Sequence, residues 1–277
     1  MDIVSQLIAK GTDTNATDSD GTTVLMRAAE KGHANSVAQL LDKGADVNLK
    51  DNEGDTALMR AAGEGHMDIV SQLLDKGADT NATDTAGATA LIMASEEDNT
   101  DIVAHLIAKG ANVNAKDNDG LTALMRAAQK GCLDCVKIIL LNGANVNAKD
   151  NDGLTALIMA SEEDNADVVA QLLANGADVN AQTADGATAL ILASGQGNAD
   201  CIKILLANGA SVNATASDGG TALIMASGKG DVNIVNILIA KGADVNLKMS
   251  DGSDAINTAE SNGHREIAEI LKAAGAR

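Results

Sequence analysis

The sequence contains no Pro, Phe, Tyr or Trp in its 277 residues. At an average Pro usage of about 5%, roughly 14 would be expected in a chain of this length. Cationic residues are scarce as well, with 20 Lys and Arg against 39 Asp and Glu, a net charge of −19. Nucleic-acid binding needs Lys and Arg to neutralise phosphates, so this balance excludes it, and it disfavours anionic membrane surfaces for the same reason. Solubility accounts for such acidity in general; a preference for basic partners is the sharper reading.

Long apolar runs are missing too. None approaches the 18 residues of a membrane span. The opening Met1-Asp2-Ile3-Val4-Ser5 lacks the cationic region and apolar core of a secretory signal. Three Cys do not make a disulfide framework in a chain of this size, and a reducing cytoplasm is the expected setting.

What is present is a period. Thr23, Thr56, Thr89, Thr122, Thr155, Thr188 and Thr221 stand 33 residues apart, and Asp254 takes the eighth place in register. No insertion breaks the step. Such a period marks a repeat architecture. The shared omissions of Pro and aromatics then follow from copying, because about 33 positions are independent. Near-verbatim copies, Lys116–Ala123 and Lys149–Ala156 both reading KDNDGLTA, favour recent duplication or design.

Each repeat reads alike. Thr56 can cap a first helix, its hydroxyl accepting backbone N–H groups two or three residues on. Leu58, Ala61 and Ala62 fall at helical spacing, and Gly65-His66 breaks the helix. Asp68 starts a second helix, where a carboxylate favours the macrodipole. Ile69, Val70, Leu73 and Leu74 give it one apolar face. Gly77 ends it with φ > 0, and Asp84-Thr85-Ala86-Gly87 carries turn chemistry. Leu25, Leu58, Leu91, Leu124, Leu157, Leu190 and Leu223 form one ladder through the repeats. At ~1.5–3 kcal/mol per buried aliphatic side chain, such ladders replace rings.

This pattern resembles the ankyrin repeat over essentially the whole chain, through its period, its glycine pair and its GADVN tail. The resemblance implies an all-α repeat, a solenoid of helix-turn-helix units joined by β-hairpin-like loops. A single domain over 1–277 is expected: a half repeat and loop at 1–22, seven full repeats over 23–253, and a capping repeat at 254–277. Residues 1–15 match Met67–Asn81 almost throughout, so the chain opens halfway through a repeat. Ile3, Leu7 and Ile8 are then expected on an uncovered edge, a possible route to self-association. In the cap, Lys272 replaces an apolar residue, and Arg265, Glu266 and Glu269 keep the outer face wet.

The departures from the family pattern carry physics. Its T-P-L-H becomes T-A-L-M or T-A-L-I, and Met26, Met59, Ile92, Met125, Ile158, Ile191 and Ile224 are expected to forgo the hydrogen bond of the family's His. Asp98 and Asp164 replace the inter-helix Gly, which puts the tight turn in question there.

Motifs for chemistry are few. Cys132-Leu133-Asp134-Cys135 is read as core or surface thiols, with a redox or metal module as the remote alternative. Cys135 and Cys201 occupy the apolar Ile69 position, and no second pair completes a zinc site. Cys132 stands where His33 and His66 stand; His33, His66 and His264 are read as structural. Asp117-Asn118-Asp119-Gly120 and Asp150-Asn151-Asp152-Gly153 are read as turns, because a calcium loop needs a further Asp and a later Glu. Asn48, Asn81, Asn114 and their equivalents are read as a ladder of loop hydrogen bonds. No catalytic set recurs outside the repeat register, so no enzyme, cofactor or metal is expected.

By the family resemblance, a protein or peptide partner binds the hairpin tips and the inner faces of the first helices. In register this gives Asn52, Glu53, Asp55 and Glu64; Thr85, Ala86, Glu96 and Glu97; Asn118, Asp119, Leu121 and Lys130; and Asn151, Asp152, Leu154, Glu162 and Glu163. Leu121 and Leu154 read equally as apolar anchors in a negative groove or as hairpin packing. Arg27, Arg60 and Arg126, near that groove, are expected to form surface ion pairs worth ~0–1 kcal/mol. The alternative function is a designed or reconstructed repeat protein with no native partner.

Overall fold

A computed structural model describes residues 13–276. Among the described residues there are sixteen helices, two to a repeat. The first helices are Val24–Glu30, Ala57–Gly63, Ala90–Glu96, Ala123–Lys130, Ala156–Glu162, Ala189–Gln196, Ala222–Lys229 and Ala255–Ser261. The second helices are Ala34–Asp42, Met67–Asp75, Thr100–Ala108, Leu133–Leu141, Ala166–Ala174, Ala199–Ala207, Val232–Ala240 and Arg265–Ala273. Isolated antiparallel bridges such as Thr17 with Thr23 and Gln182 with Thr188 close the hairpin loops between repeats. The uncovered edge expected at Ile3, Leu7 and Ile8 lies outside the described residues.

Local chemistry sets the helix ends. The Thr56 hydroxyl accepts from the Met59 amide at 3.3 Å, and Asp254 does the same for Asn257 at 2.9 Å. Such a cap supplies one of the orphan amides of the first turn with an acceptor. The methionines do more than the sequence reading allows. The Met26 thioether accepts from the Thr23 amide, and Met125 accepts from Thr122, both at 3.4 Å. The unbranched side chain curls back over the helix start, so these two Met keep a weak form of the bond they were expected to lose.

Second helices stop at glycine. After Met67–Asp75, the Ala78 amide bonds Leu73 O at 3.0 Å and the Gly77 amide bonds Leu74 O at 3.1 Å. This double closure needs the left-handed conformation that Gly77 adopts at φ 88. Between the helices, Asp98 and Asp164 sit at φ 60, so the tight turn persists without glycine. Asp tolerates this region better than most residues, at a cost near ~1 kcal/mol.

The chain forms two compact units, Met1–Ala127 with Asp134–Asn145, and Ala128–Leu133 with Val146–Arg277. Within the first, Val24–Glu30, Ala57–Gly63 and Ala90–Glu96 pack in succession, and the second helices follow the same order. Leu25, Leu58, Leu91 and Leu124 are at most 2% exposed, as are Leu40, Leu73, Leu106 and Ile139. The second unit repeats the arrangement with Leu157, Leu190 and Leu223 on one ladder and Leu172, Leu205 and Leu238 on the other, all buried. Ala61, Ala94, Ala160 and Ala193 are fully buried where the helices meet, which small side chains permit. In the last repeat Ile267, Ala268 and Leu271 are buried while Arg265, Glu266, Glu269 and Lys272 are exposed, as a cap requires.

Candidate functional site

The hairpin loops and first helices build one kind of surface in two versions. Each loop is shaped by its leading Asp. The Asp51 carboxylate accepts the amides of Glu53 and Asp55 at 2.9 Å each, and Asp117 accepts those of Asp119 and Leu121. These carboxylates are spent on their own turns, which agrees with the turn reading over the calcium one. Neighbouring loops are then tied by backbone bonds, Thr85 N to Glu53 O at 2.8 Å and Ala184 N to Asp152 O at 2.7 Å.

Two of the expected partner residues serve this tie. The Asn52 amide group donates to Ser19 O at 3.2 Å, and Asn118 donates to Thr85 O at 2.9 Å. Both were assigned to a partner by register, and both also join loop to loop. Glu53, Glu64, Thr85, Ala86, Glu96, Glu97, Asp119, Lys130, Asn151, Asp152 and Glu163 are exposed, while Asp55, Leu121, Leu154 and Glu162 are half-buried.

In the first unit the groove is neutralised from within. Arg60 reaches Glu30 of the preceding repeat at 2.8 Å, contacts Asp51 closely, and lies 3.7 Å from Asp55. The Arg60 side chain is 17% exposed and that of Asp51 1%. This corrects the expectation of a solvated surface pair: the guanidinium is the hub of a half-buried cluster. Burial works against the Arg60 charge, but the hydrogen bond and charge of Asp51 outweigh it and raise its pKa. Burial pushes the Asp55 carboxyl up, the Asp51 charge adds to that, and Arg60 only partly opposes it. Arg126 lies 3.7 Å from Glu96 and 3.9 Å from Asp117, and Arg27 lies 3.3 Å from Asp18, the same arrangement in looser form.

The second unit lacks those arginines. The register position of Arg60 and Arg126 is taken there by Met159, Leu192 and Met225, as it is by Met93 in one repeat of the first unit. Around Leu192 lies an open cleft of about 410 Å³, with Leu154 and Ala187 beside it and Asp152, Glu162 and Asp185 among its lining carboxylates. A second cleft of about 400 Å³ shares Asp185 and Leu192 and continues over Ile191, Ala216 and Met225. The Thr183 hydroxyl donates to Asp185 and holds that carboxyl below its ordinary pKa, so it stays charged. Leu154 is therefore a cleft wall. The sequence reading had placed Asp152, Leu154 and Glu162 here but missed Thr183, Asp185, Ala187 and Leu192. The signal was available in the change from Arg to aliphatic at one fixed position.

The remaining motifs are structural. The His66 ring meets Glu30 O at 3.1 Å, and Asn198 at the same register donates to Ser161 O at 2.9 Å, each clamping a helix end of the preceding repeat. The asparagine ladder is present: Asn48 accepts from Asp79 N at 2.8 Å and donates to Gly77 O at 3.2 Å, and Asn180 repeats both contacts. Cys132 and Cys135 are disulfide-bonded, which corrects their reading as thiols. Cys201 is the free cysteine. Burial, with the Asp164 charge second, pushes its thiol up to about 12, so it is protonated and inert at neutral pH. No described helix is long and apolar enough to cross a membrane.

A family model described as ankyrin repeats (3 copies) matches residues 1–84, 78–150, 139–216 and 212–277, which together span the chain. No curated protein matches the sequence.

Proposed function

The chain belongs to the ankyrin-repeat family, whose repeats are generally protein-interaction modules, and from that premise we propose a non-enzymatic scaffold that binds a basic protein or peptide. The proposed surface is the row of hairpin loops and first-helix faces. One observation carries this reading: carboxylates and aliphatic side chains alternate along the clefts of the second unit, with Leu192 and Met225 standing where Arg60 stands in the first. A cationic partner with apolar residues complements both features. The proposed setting is the cytoplasm, where reduction of the Cys132–Cys135 bond would return both residues to thiols.

Isothermal titration of basic candidate partners against the wild type and against a Glu96/Glu97/Glu162/Glu163→Lys variant tests the surface. Binding should fall at least tenfold in the variant. Unchanged binding would sink the groove assignment. A second reading, a repeat array without a native partner, rests on the near-verbatim KDNDGLTA copies. Titrations in which no basic partner binds even the wild type would favour it.

A further inference from the structure

The first unit contains its own picture of what fills a cleft. Shifted by four repeats, Glu162 falls on Glu30 and Leu192 on Arg60, Asp152 and Asp185 fall on the hairpin residues Asp20 and Glu53, and Thr183 and Ala187 stand where Asp51 and Asp55 meet Arg60. Shifted by two repeats, Glu162 falls on Glu96 and Leu192 on Arg126, and that pair is again bridged, at 3.7 Å. In both places an arginine of the chain fills the space between a first-helix Glu and the next hairpin. At Leu192 the side chain is too short and carries no charge, and the space remains open at about 410 Å³.

We propose that this cleft is a socket for an arginine side chain of an extended partner peptide, with an aliphatic side chain of the same peptide in the adjoining Met225 cleft. The proposal rests on the scaffold reading above and adds the partner's chemistry and place. The guanidinium takes the position that Arg60 takes in its own cluster, facing Glu162 with Asp185 and Asp152 at the rim. Its methylene stem lies on Leu154 and Leu192. A planar fork of five donors suits several carboxylates at once, which a lysine does not match. Neither Lys229 nor Lys248 lines the cleft; Lys248 pairs with Asp254 at 3.4 Å. The second cleft, about 400 Å³, has walls of Ile191, Ala187 and Met225. Successive helix layers are ~10 Å apart, and an extended peptide covers that in about three residues at ~3.3 Å each.

The test uses the full chain and a synthetic peptide, acetyl-Gly-Arg-Gly-Gly-Leu-Gly-amide, with its reversed order, a citrulline-for-Arg version and a Gly-for-Leu version. Amide chemical shifts of the isotopically labelled protein report the site. Shifts centred on Glu162, Asp185 and Leu192 are expected, with affinity down at least tenfold for citrulline and at least threefold for Gly. Leu192→Arg should fill the socket from within and abolish the response. Glu162→Gln, an isosteric change at a half-exposed position, should weaken it at least fivefold and serves as the decisive variant where Leu192→Arg perturbs the fold. Equal binding of the citrulline peptide, or a response elsewhere on the protein, overturns the socket. If basic peptides respond instead to Glu96/Glu97→Lys, the socket fails while the scaffold stands. If no basic peptide or protein binds at all, the basic-partner reading falls with it.

Discussion

The two units are built on the same core pattern and differ in their grooves. In both, the second helices bury an aliphatic residue at the same register position, Leu73 and Leu106 in the first unit and Leu172 and Leu205 in the second. On the loop-facing side they part. Arg60 and Arg126 tie acids of successive repeats together in the first unit, where Leu192 and Met225 leave open clefts beside unneutralised acids in the second. The comparison shows how a repeat protein separates its tasks. Positions that hold the array are copied, and a single variable position per repeat decides whether a groove segment is closed by its own cation or left for another.

The strongest way to break the comparison is through the part the units share. Leu73→Ala and Leu172→Ala should each cost ~2–5 kcal/mol, because each empties a fully buried ladder position. Urea unfolding monitored by circular dichroism should find the two losses within about 1 kcal/mol of each other. A large difference would mean the ladders are not equivalent. Next in size is Arg60→Met, which copies the second unit's choice into the first. Removing the hub leaves Glu30, Asp51 and Asp55 facing one another, at about 2 kcal/mol. The same assay on Met225→Arg should give a change of at most ~1 kcal/mol, since that half-buried site lies beside no comparable buried acid.

A smaller and opposite effect is expected at the shared turn. Asp98→Gly and Asp164→Gly, one in each unit, both relieve a residue at φ 60 and should raise stability by up to ~1 kcal/mol. Thermal melts that fall for either variant would mean the Asp side chain contributes more than its backbone costs. Smallest is Asp55→Asn, with a gain under ~1 kcal/mol at neutral pH. The sign follows from burial, which raises the Asp55 pKa in the folded chain. The folded state then binds that proton more tightly than the unfolded one, so ionisation of Asp55 costs stability above its folded pKa. The gain from Asn should fade as pH falls through that raised value, and a gain that grew toward acid would contradict it.

Much of this was legible from residues alone. Thr56 as a cap, Gly77 as a stop, Asn48 as a tie and Leu73 as core each depend on a pattern contained within one repeat, and register transfers the reading to every copy. Met26 was misread because its thioether was counted as apolar filler, although its flexible chain lets the sulfur reach the Thr23 amide. Cys132 and Cys135 were read by register as separate thiols, and the bond state of two sulfurs is not a property of either position. The loop-to-loop bonds of Asn52 and Asn118 were not foreseen because their acceptors, Ser19 O and Thr85 O, lie 33 residues earlier.

The same division holds for the molecule as a whole. Sequence by itself determined the repeat, its caps and stops and its core ladders, because each follows from propensity and periodicity within 33 residues, and its motifs resemble the ankyrin-repeat family whose model matches the chain. It also assigned to the proposed partner surface Asp152, Leu154 and Glu162, which line a cleft. Only the tertiary structure decided which carboxylates are already neutralised. That depends on the few ångströms separating Arg60 from Glu30 and Asp51, set by how one hairpin and helix pack on the next. Coulombic attraction and desolvation change steeply over such distances, and a linear order of residues does not contain them.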